Sequence, residues 1–349
     1  MTAPDPGRLA TFLRAELPAG QVEVSSVTPI AAGYSRSMFK VDAVVDGEKA
    51  AFVTRGDPPP EKSVIDTDRD QEWAVLHALT CAGDKPVAPA RCYDGAGTVS
   101  GTRMIVSDFI ESETLRTVLG RRDLDARPAQ ARRLAGVAAA IHATDLGTLG
   151  DALPGYPDWD AYLDARVEQW RAIERGHAES DPFIRYLAAW LDEHRPPPAP
   201  LRLVHGDFHA GNILVSPDGG FTAVDWEFAR IADPREDLGW FTAIGASMPP
   251  DLVTEEIEVF CQAYRELTGL GADVINPWTI SYFQILSGAN LFGGVMAQAS
   301  SLARGEVHNV KPIYVTGFIV TGHQGWFHGP QALENTALED TAREAGAPT

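Results

Sequence analysis

The sequence predicts an α+β chain in two lobes: a small antiparallel sheet with one internal helix over residues 1–109, and a large, mainly helical lobe over 110–349. A change of hydrophobic period carries this reading. Before residue 110 the apolar segments are short and strand-like, and two of them, Met38–Val45 and Lys49–Arg55, flank an Asp46-Gly47 turn. After residue 110 apolar residues recur at helical spacing, as Leu134, Val137, Ala138 and Ile141 do. At 349 residues the chain has the length of about two ordinary domains.

The elements follow in order. Leu9, Phe12, Leu13 and Leu17 lie on one face of a short amphipathic helix over 8–17. Val22–Pro29 alternates as a strand, and the hairpin follows it. Asp57-Pro-Pro-Pro60 breaks the pattern, and 68–82 reads as a helix carrying Trp73 and Leu76. Arg91–Asp94 and Arg103–Phe109 are short strands around a glycine-rich turn. Pro128–Thr144, 158–175 and 181–194 read as helices, and Arg195-Pro-Pro-Pro198 ends that block. Leu201–Val204, Ile213–Val215 and Phe221–Asp225 are short strands. Long helices are expected over 251–268 and 278–304, with another over 312–328, and the last twenty or so residues read as a frayed helix or loose tail.

Composition excludes several classes. Lys and Arg total 29 against 48 Asp and Glu, a formal net charge of −19. Such a field repels nucleic acid and anionic lipid, so neither is expected as a partner, whereas a cationic small molecule is compatible with it. Three cysteines without CxxC spacing argue against a disulfide framework or a zinc site. No signal-peptide pattern and no run of 18 apolar residues is present, which predicts a cytoplasmic protein without a membrane span. Oligomeric state is not legible.

The stretch Val204-His205-Gly206-Asp207-Phe208-His209-Ala210-Gly211-Asn212-Ile213 places an Asp five residues before an Asn, between apolar strands. Ala223-Val224-Asp225-Trp226-Glu227 then ends another apolar strand with a carboxylate. Phosphoryl transfer needs this set. One carboxylate orients an attacking hydroxyl and accepts its proton, while a carboxylate and a carboxamide hold Mg²⁺ against nucleotide phosphates. A strand–loop–strand layout could bring residues 207, 212 and 225 to one mouth.

These residues resemble the aminoglycoside phosphotransferase family of small-molecule kinases, relatives of choline kinase and of the eukaryotic protein kinases. His205-Gly206-Asp207 with Asn212 matches the family's HGDxxxxN motif. Val224-Asp225-Trp226-Glu227 with Asp233-Pro234-Arg235-Glu236-Asp237-Leu238-Gly239-Trp240 matches its D-W-E…D-P-x-x-D-L pattern. The resemblance covers about residues 25–330 and implies a bilobal protein-kinase-like fold. It also implies the roles. Asp207 is the catalytic base or orienting carboxylate; Asn212 and Asp225 bind Mg²⁺; His205 supports the loop; Asp237 tethers the loop or caps a helix. His209 either approaches phosphate and substrate or packs the loop.

The first lobe supplies the expected nucleotide parts. Residues 31–38, with Gly33, Tyr34 and Ser35, occupy the place of a loop covering the ATP phosphates. This loop is poorer in glycine than the protein-kinase version. Arg55 stands where many relatives have Lys for the α/β-phosphates, with Lys49 as the alternative cation. Glu72 is the natural helix partner of Arg55. Met104–Glu111 resembles the hinge that reads adenine through backbone groups, at Asp108 and Ile110. ATP with Mg²⁺ is the expected cofactor pair, and the sequence leaves GTP open.

Intact Asp207, Asn212 and Asp225 argue against a silent nucleotide-binding relative. Glu227 in place of the DFG glycine, and the absence of an Ala-Pro-Glu motif, argue against a protein kinase. The acceptor is a hydroxyl of a small molecule, either an aminoglycoside-like cationic compound or, as the Arg55 strand and the D-W-E…D-P-x-x-D-L run also suggest, a hydroxyacyl-CoA thioester. Substrate residues are expected from roughly 155–195 and 250–330, with Asp158, Asp160, Glu168, Asn290, Gln298 and His323 as polar candidates. Trp159, Trp170, Trp278, Tyr282 and Phe292 read as core rather than as a ligand cage.

Overall fold

The structure is a computed structural model that describes residues 3–30, 37–57, 68–121, 125–177, 182–247, 252–289 and 304–305. The chain packs as two compact units. The first comprises residues 1–114, 144–153 and 212–229; the second comprises 115–143, 154–211 and 230–349. The contiguous division at 109/110 therefore differs from the packing. Residues 212–229 join the first unit because their strands pair with its chain, and so does the short 3-10 turn Leu146–Leu149.

The first unit is built on an antiparallel sheet of five strands: β1 (Val22–Pro29), β2 (Ser37–Val45), β3 (Glu48–Gly56), β4 (Ala90–Asp94) and β5 (Met104–Asp108). Their order is β1-β2-β3-β5-β4. The β2–β3 hairpin closes at Val45↔Glu48. Asp46 and Gly47 both take positive φ, 49° and 90°, as a two-residue turn matched to strand twist requires. The Asp46 carboxylate also accepts the Gln21 N–H at 2.8 Å, tying the turn to β1. Alternation sets the faces: Phe39, Val41 and Ala43 of β2 and Phe52 of β3 are buried. Helix α1 (Pro6–Glu16) packs Leu9 and Leu13, both fully buried, into one cluster with Val41, Ala43 and Phe52.

Helix α2 (Arg69–Ala82) starts at an Asp68 cap that accepts the Asp70 N–H at 2.9 Å, and ends at Gly83 in the left-handed region. It presents buried Glu72. A second small sheet joins β6 (Glu113–Thr114), β8 (Ile213–Val215) and β9 (Phe221–Ala223) in that order. Its backbone meets the segment after α2, where the Ala223 N–H donates to Pro86 O at 2.7 Å. Strand β9 ends at Ala223, not at Asp225 as the apolar run predicts, because Asp225 turns to φ 72°.

The second unit holds α3 (Leu115–Leu119), α4 (Arg127–His142), α5 (Trp159–His177), α6 (Pro182–Glu193), α7 (Arg235–Ser247), α8 (Leu252–Glu255) and α9 (Ile257–Thr268). Residues 277–289 are also helical. Strands β7 (Arg202–Val204) and β10 (Arg230–Ala232) pair antiparallel. The core gathers Tyr162, Leu163, Val167 and Trp170 of α5, Leu187, Trp190 and Leu191 of α6, and Tyr282, Phe283 and Leu286. The single helix predicted over 251–268 is broken. Glu255 pairs with the nearly buried Arg127, and Glu256 leaves helical geometry. The rest of the helix predicted to 304, the one over 312–328 and the tail lie outside the described residues. Among the described residues no helix is long and apolar enough to cross a membrane.

Candidate active site

The first unit centres on Arg55. Strand alternation puts Thr54 into the core and turns Arg55 to the opposite face of β3. There Arg55 Nη1 donates to Glu72 Oε1 at 3.0 Å, the partnership the sequence predicts. Nη2 donates to Asp225 Oδ1 and lies 3.3 Å from Glu227 Oε2. Glu72 is itself shared with Arg69, which also pairs with Asp57. Burial alone lowers the Arg55 pKa, but Asp225, Glu72 and Glu227 outweigh it, so the group is raised and carries its charge at every accessible pH. Lys49, the alternative cation, is exposed at the other end of β3.

Asp225 is a non-glycine residue at φ 72°, a strained backbone that aims a carboxylate about one third exposed. The strand pairing places Asn212 beside it: the Val224 N–H donates to Asn212 O at 2.9 Å. Asn212, Asp225, Arg55 and Glu72 thus belong to one unit. Among the described residues no group of three or more His, Cys, Asp or Glu could hold a metal ion. The donor chemistry of one carboxylate and one carboxamide, Asp225 and Asn212, in the same unit as the Arg55 guanidinium, instead suits Mg²⁺, a hard ion that takes oxygen ligands. Arg55 Nε is buried and, among the described residues, has no hydrogen-bond partner, which suits an anionic acceptor.

The hinge segment keeps its backbone largely in the sheet. The Asp108 N–H donates to Pro89 O and the Phe109 N–H to Ala51 O, both at 2.9 Å. Ile110 O accepts from Ser112 Oγ at 2.9 Å. The Asp108 side chain forms a fork pair with Arg91. Gly33, Tyr34 and Ser35 lie outside the described residues.

The second unit holds Asp207 and its supports. Asp237 accepts the backbone N–H groups of His205 at 2.7 Å and Gly206 at 2.8 Å, pinning the start of the loop. Gly206 sits at φ 82°, which a side chain would resist. His205 is fully buried, and its Nδ1 accepts the Asp207 N–H at 3.3 Å. Behind Asp237, His142 Nε2 lies at 3.1 Å and His142 Nδ1 meets Tyr264 Oη at 2.6 Å. Burial raises the Asp237 pKa, and the hydrogen bond and charge of His142 with the His205 contacts more than reverse it. The carboxylate therefore stays ionised.

Asp207 meets two donors. Trp240 Nε1–H donates to Oδ1 at 2.7 Å, and His209 Nε2 stands 3.5 Å from Oδ2. Burial pushes this carboxyl up, but His209, Trp240 and His205 hold it below the ordinary aspartate value. His209 is oriented in turn by the Gly211 N–H, which donates to its Nδ1 at 2.9 Å, so the neutral ring carries its proton on Nε2, toward Asp207. A Cβ on residue 211 would stand 2.7 Å from the His209 ring.

Sequence reasoning missed four contributors. Trp240 and Glu227 lay inside quoted motifs without an assigned partner; His142 and Tyr264 carry no local signature beyond polar tips on apolar helices. Of the proposed substrate residues, Asp158 caps α5 through the Ala161 N–H and Glu168 pairs with Arg175, while Asn290, Gln298 and His323 lie outside the described residues. Trp170 and Tyr282 are fully buried core, as expected. Trp159 packs on that core and donates to Asp233 Oδ2 at 2.7 Å.

The model of the phosphotransferase enzyme family matches residues 26–273, and the chain belongs to that family. Among curated proteins, it is 24% identical over 176 residues to acyl-CoA dehydrogenase family member 10 of Mus musculus, a match covering 49% of this chain and 16% of that protein. It is 28% identical over 151 residues to YniA of Escherichia coli, a candidate ketoamine kinase, covering 41% of this chain and 48% of that one. The matches thus span less than half the length of either relative. Among solved structures, a candidate aminoglycoside phosphotransferase of Ralstonia eutropha superposes with a TM-score of 0.70 at 20% identity, covering 94% of this chain and 99% of the other. Macrolide 2'-phosphotransferase MphH of Brachybacterium faecium gives 0.59 at 19%, covering 85% and 93%. The fold is therefore that of the aminoglycoside phosphotransferases, the kinase-like α+β architecture the motifs imply.

Proposed function

We propose that the chain transfers the γ-phosphate of ATP to a hydroxyl of a small molecule. The observation that carries this is the single arginine, Arg55, bound at once to the helix carboxylate Glu72 and to the strained strand-end carboxylate Asp225. Arg55 pairs with the nucleotide phosphates, and Glu72 sets its position. Asn212 and Asp225 hold Mg²⁺, which when bound supplies charge neutralisation on the phosphates. Asp207 orients the acceptor hydroxyl and takes its proton, while His205 and Asp237 keep the loop in place. The base is read by backbone groups of the hinge at Asp108 and Ile110. Gly33, Tyr34 and Ser35 cover the phosphates, and GTP is an alternative donor. Catalysis is then positioning plus electrostatics.

A polyhydroxylated cationic acceptor suits the net charge of −19. A hydroxyacyl-CoA acceptor is the second reading, favoured by the match to the mouse acyl-CoA dehydrogenase family member. The same acidic balance supports a reaction without nucleic-acid or membrane partners. The test is Mg²⁺-dependent ADP release across aminoglycosides, other hydroxylated antibiotics, choline-like alcohols, ketosamines, sugars and hydroxyacyl-CoA thioesters, with phosphorylated product read by mass. A phosphorylated acceptor supports the proposal and names the class. Nucleotide binding with no turnover on any of them favours the silent relative.

A further inference from the structure

Two of the positions at which the chain departs from the protein-kinase pattern touch each other. Arg55 stands in place of Lys, Glu227 stands in place of the DFG glycine, and Glu227 Oε2 lies 3.3 Å from Arg55 Nη2. Both side chains are buried, 11% and 7% exposed, whereas Asp225 is 32% exposed. The same nitrogen, Nη2, faces Asp225 and Glu227, while Nη1 faces Glu72. Glu72 is already shared with Arg69.

This arrangement creates a competition. Asp225 would share its negative charge between Mg²⁺ and Arg55 if it held the ion, and its hold on Nη2 would weaken. A buried guanidinium left with half of Glu72 would be undercompensated and would be pulled back onto Asp225, against the metal. A Lys ammonium is a compact point charge and does not bridge three carboxylates as the planar fork does.

We propose that Glu227 is a positioning residue for Arg55: it holds Nη2 when Asp225 engages Mg²⁺, so that the arginine neither drifts nor competes for the metal ligand. The proposal rests on the phosphotransfer reading of Arg55 and Asp225.

The test is calorimetric binding of ADP, with and without Mg²⁺, to wild type, Glu227→Gln, Arg55→Lys and the double variant, with thermal melts confirming that each is folded. In Glu227→Gln the Mg²⁺ concentration giving half-maximal ADP binding should rise about tenfold, within the range of coupling between contacting charges. ADP affinity in excess EDTA should change less than about twofold, because Asp225 then holds the arginine. In the Arg55→Lys background the Glu227→Gln change should add nothing. An unchanged Mg²⁺ requirement in Glu227→Gln overturns the proposal. So does an equal effect in the Arg55→Lys background, which would mean that Glu227 acts on the metal directly. Failure of wild type to bind ADP with Mg²⁺ would instead overturn the phosphotransfer reading.

Discussion

Trp240 donates its indole N–H to Asp207 Oδ1 at 2.7 Å, and this bond pins the orientation of the carboxylate on which the chemistry is proposed to turn. It also favours the charged form. Trp240→Phe keeps a ring in place and removes the donor. That bond is one of the contacts, behind those of His209, that hold the Asp207 carboxyl below its ordinary value, so the acid limb of the rate profile for ADP release should move to higher pH in the variant. An unmoved limb would separate Trp240 from the ionisation of Asp207.

Arg55→Ala should raise the KM for ATP by about tenfold or more, as loss of a charge-assisted phosphate contact implies. Lys49→Ala, at an exposed position, should leave it unchanged. Steady-state kinetics on the two variants decides between the cations. The reverse ranking would move phosphate binding to Lys49.

Glu236 is buried between Arg166 and Arg230 and accepts the Tyr162 hydroxyl at 2.6 Å. Burial raises its carboxyl, but the two arginines and Tyr162 hold it at about 2, against an ordinary 4.5. A depressed carboxylate contributes fully above its unfolded pKa and loses that contribution as pH falls through the folded value. Wild-type stability should therefore drop between about pH 4.5 and pH 2, in part through this residue. Glu236→Gln leaves buried Arg166 and half-buried Arg230 short of a partner and should lose about 3 kcal/mol at neutral pH, with a shallower decline across that window. Denaturation followed by circular dichroism over pH 2–7 measures both; equal neutral stability would contradict the account.

Gly239 lets α7 approach the helical segment 277–289, where a Cβ would collide with the backbone of Phe283 and Gln284. Backbone has little room to yield, so Gly239→Ala should destabilise by about 1–3 kcal/mol or more. A thermal melt within a degree of wild type would show that the two segments separate freely.

Much of this was legible in the sequence because the signals were local. Alternation in β2 and β3, the Asp46-Gly47 turn and the Arg195 proline block are written within a few residues of where they act. The pairing of Arg55 with Glu72 was legible through the family resemblance, which supplies a strand cation and a helix carboxylate as partners. The rest depended on distant partners. Nothing near Asp207 announces Trp240, and nothing near Asp237 announces His142 or Tyr264, which come from other helices. The end of β9 was misplaced because an apolar run cannot show that Asp225 takes a positive φ. The single helix over 251–268 is interrupted at Glu256, whose φ of −118° and ψ of 32° no local signal announces.

The most direct test of the central claim is a comparison of wild type with Asp207→Asn on an acceptor that wild type phosphorylates, with Mg·ADP affinity and melting temperature read in parallel. The account predicts a loss of transfer of about 10²-fold or more, as removal of a positioned base implies, with binding and fold preserved. Turnover within a few-fold of wild type would contradict the assignment of Asp207 as the catalytic carboxylate.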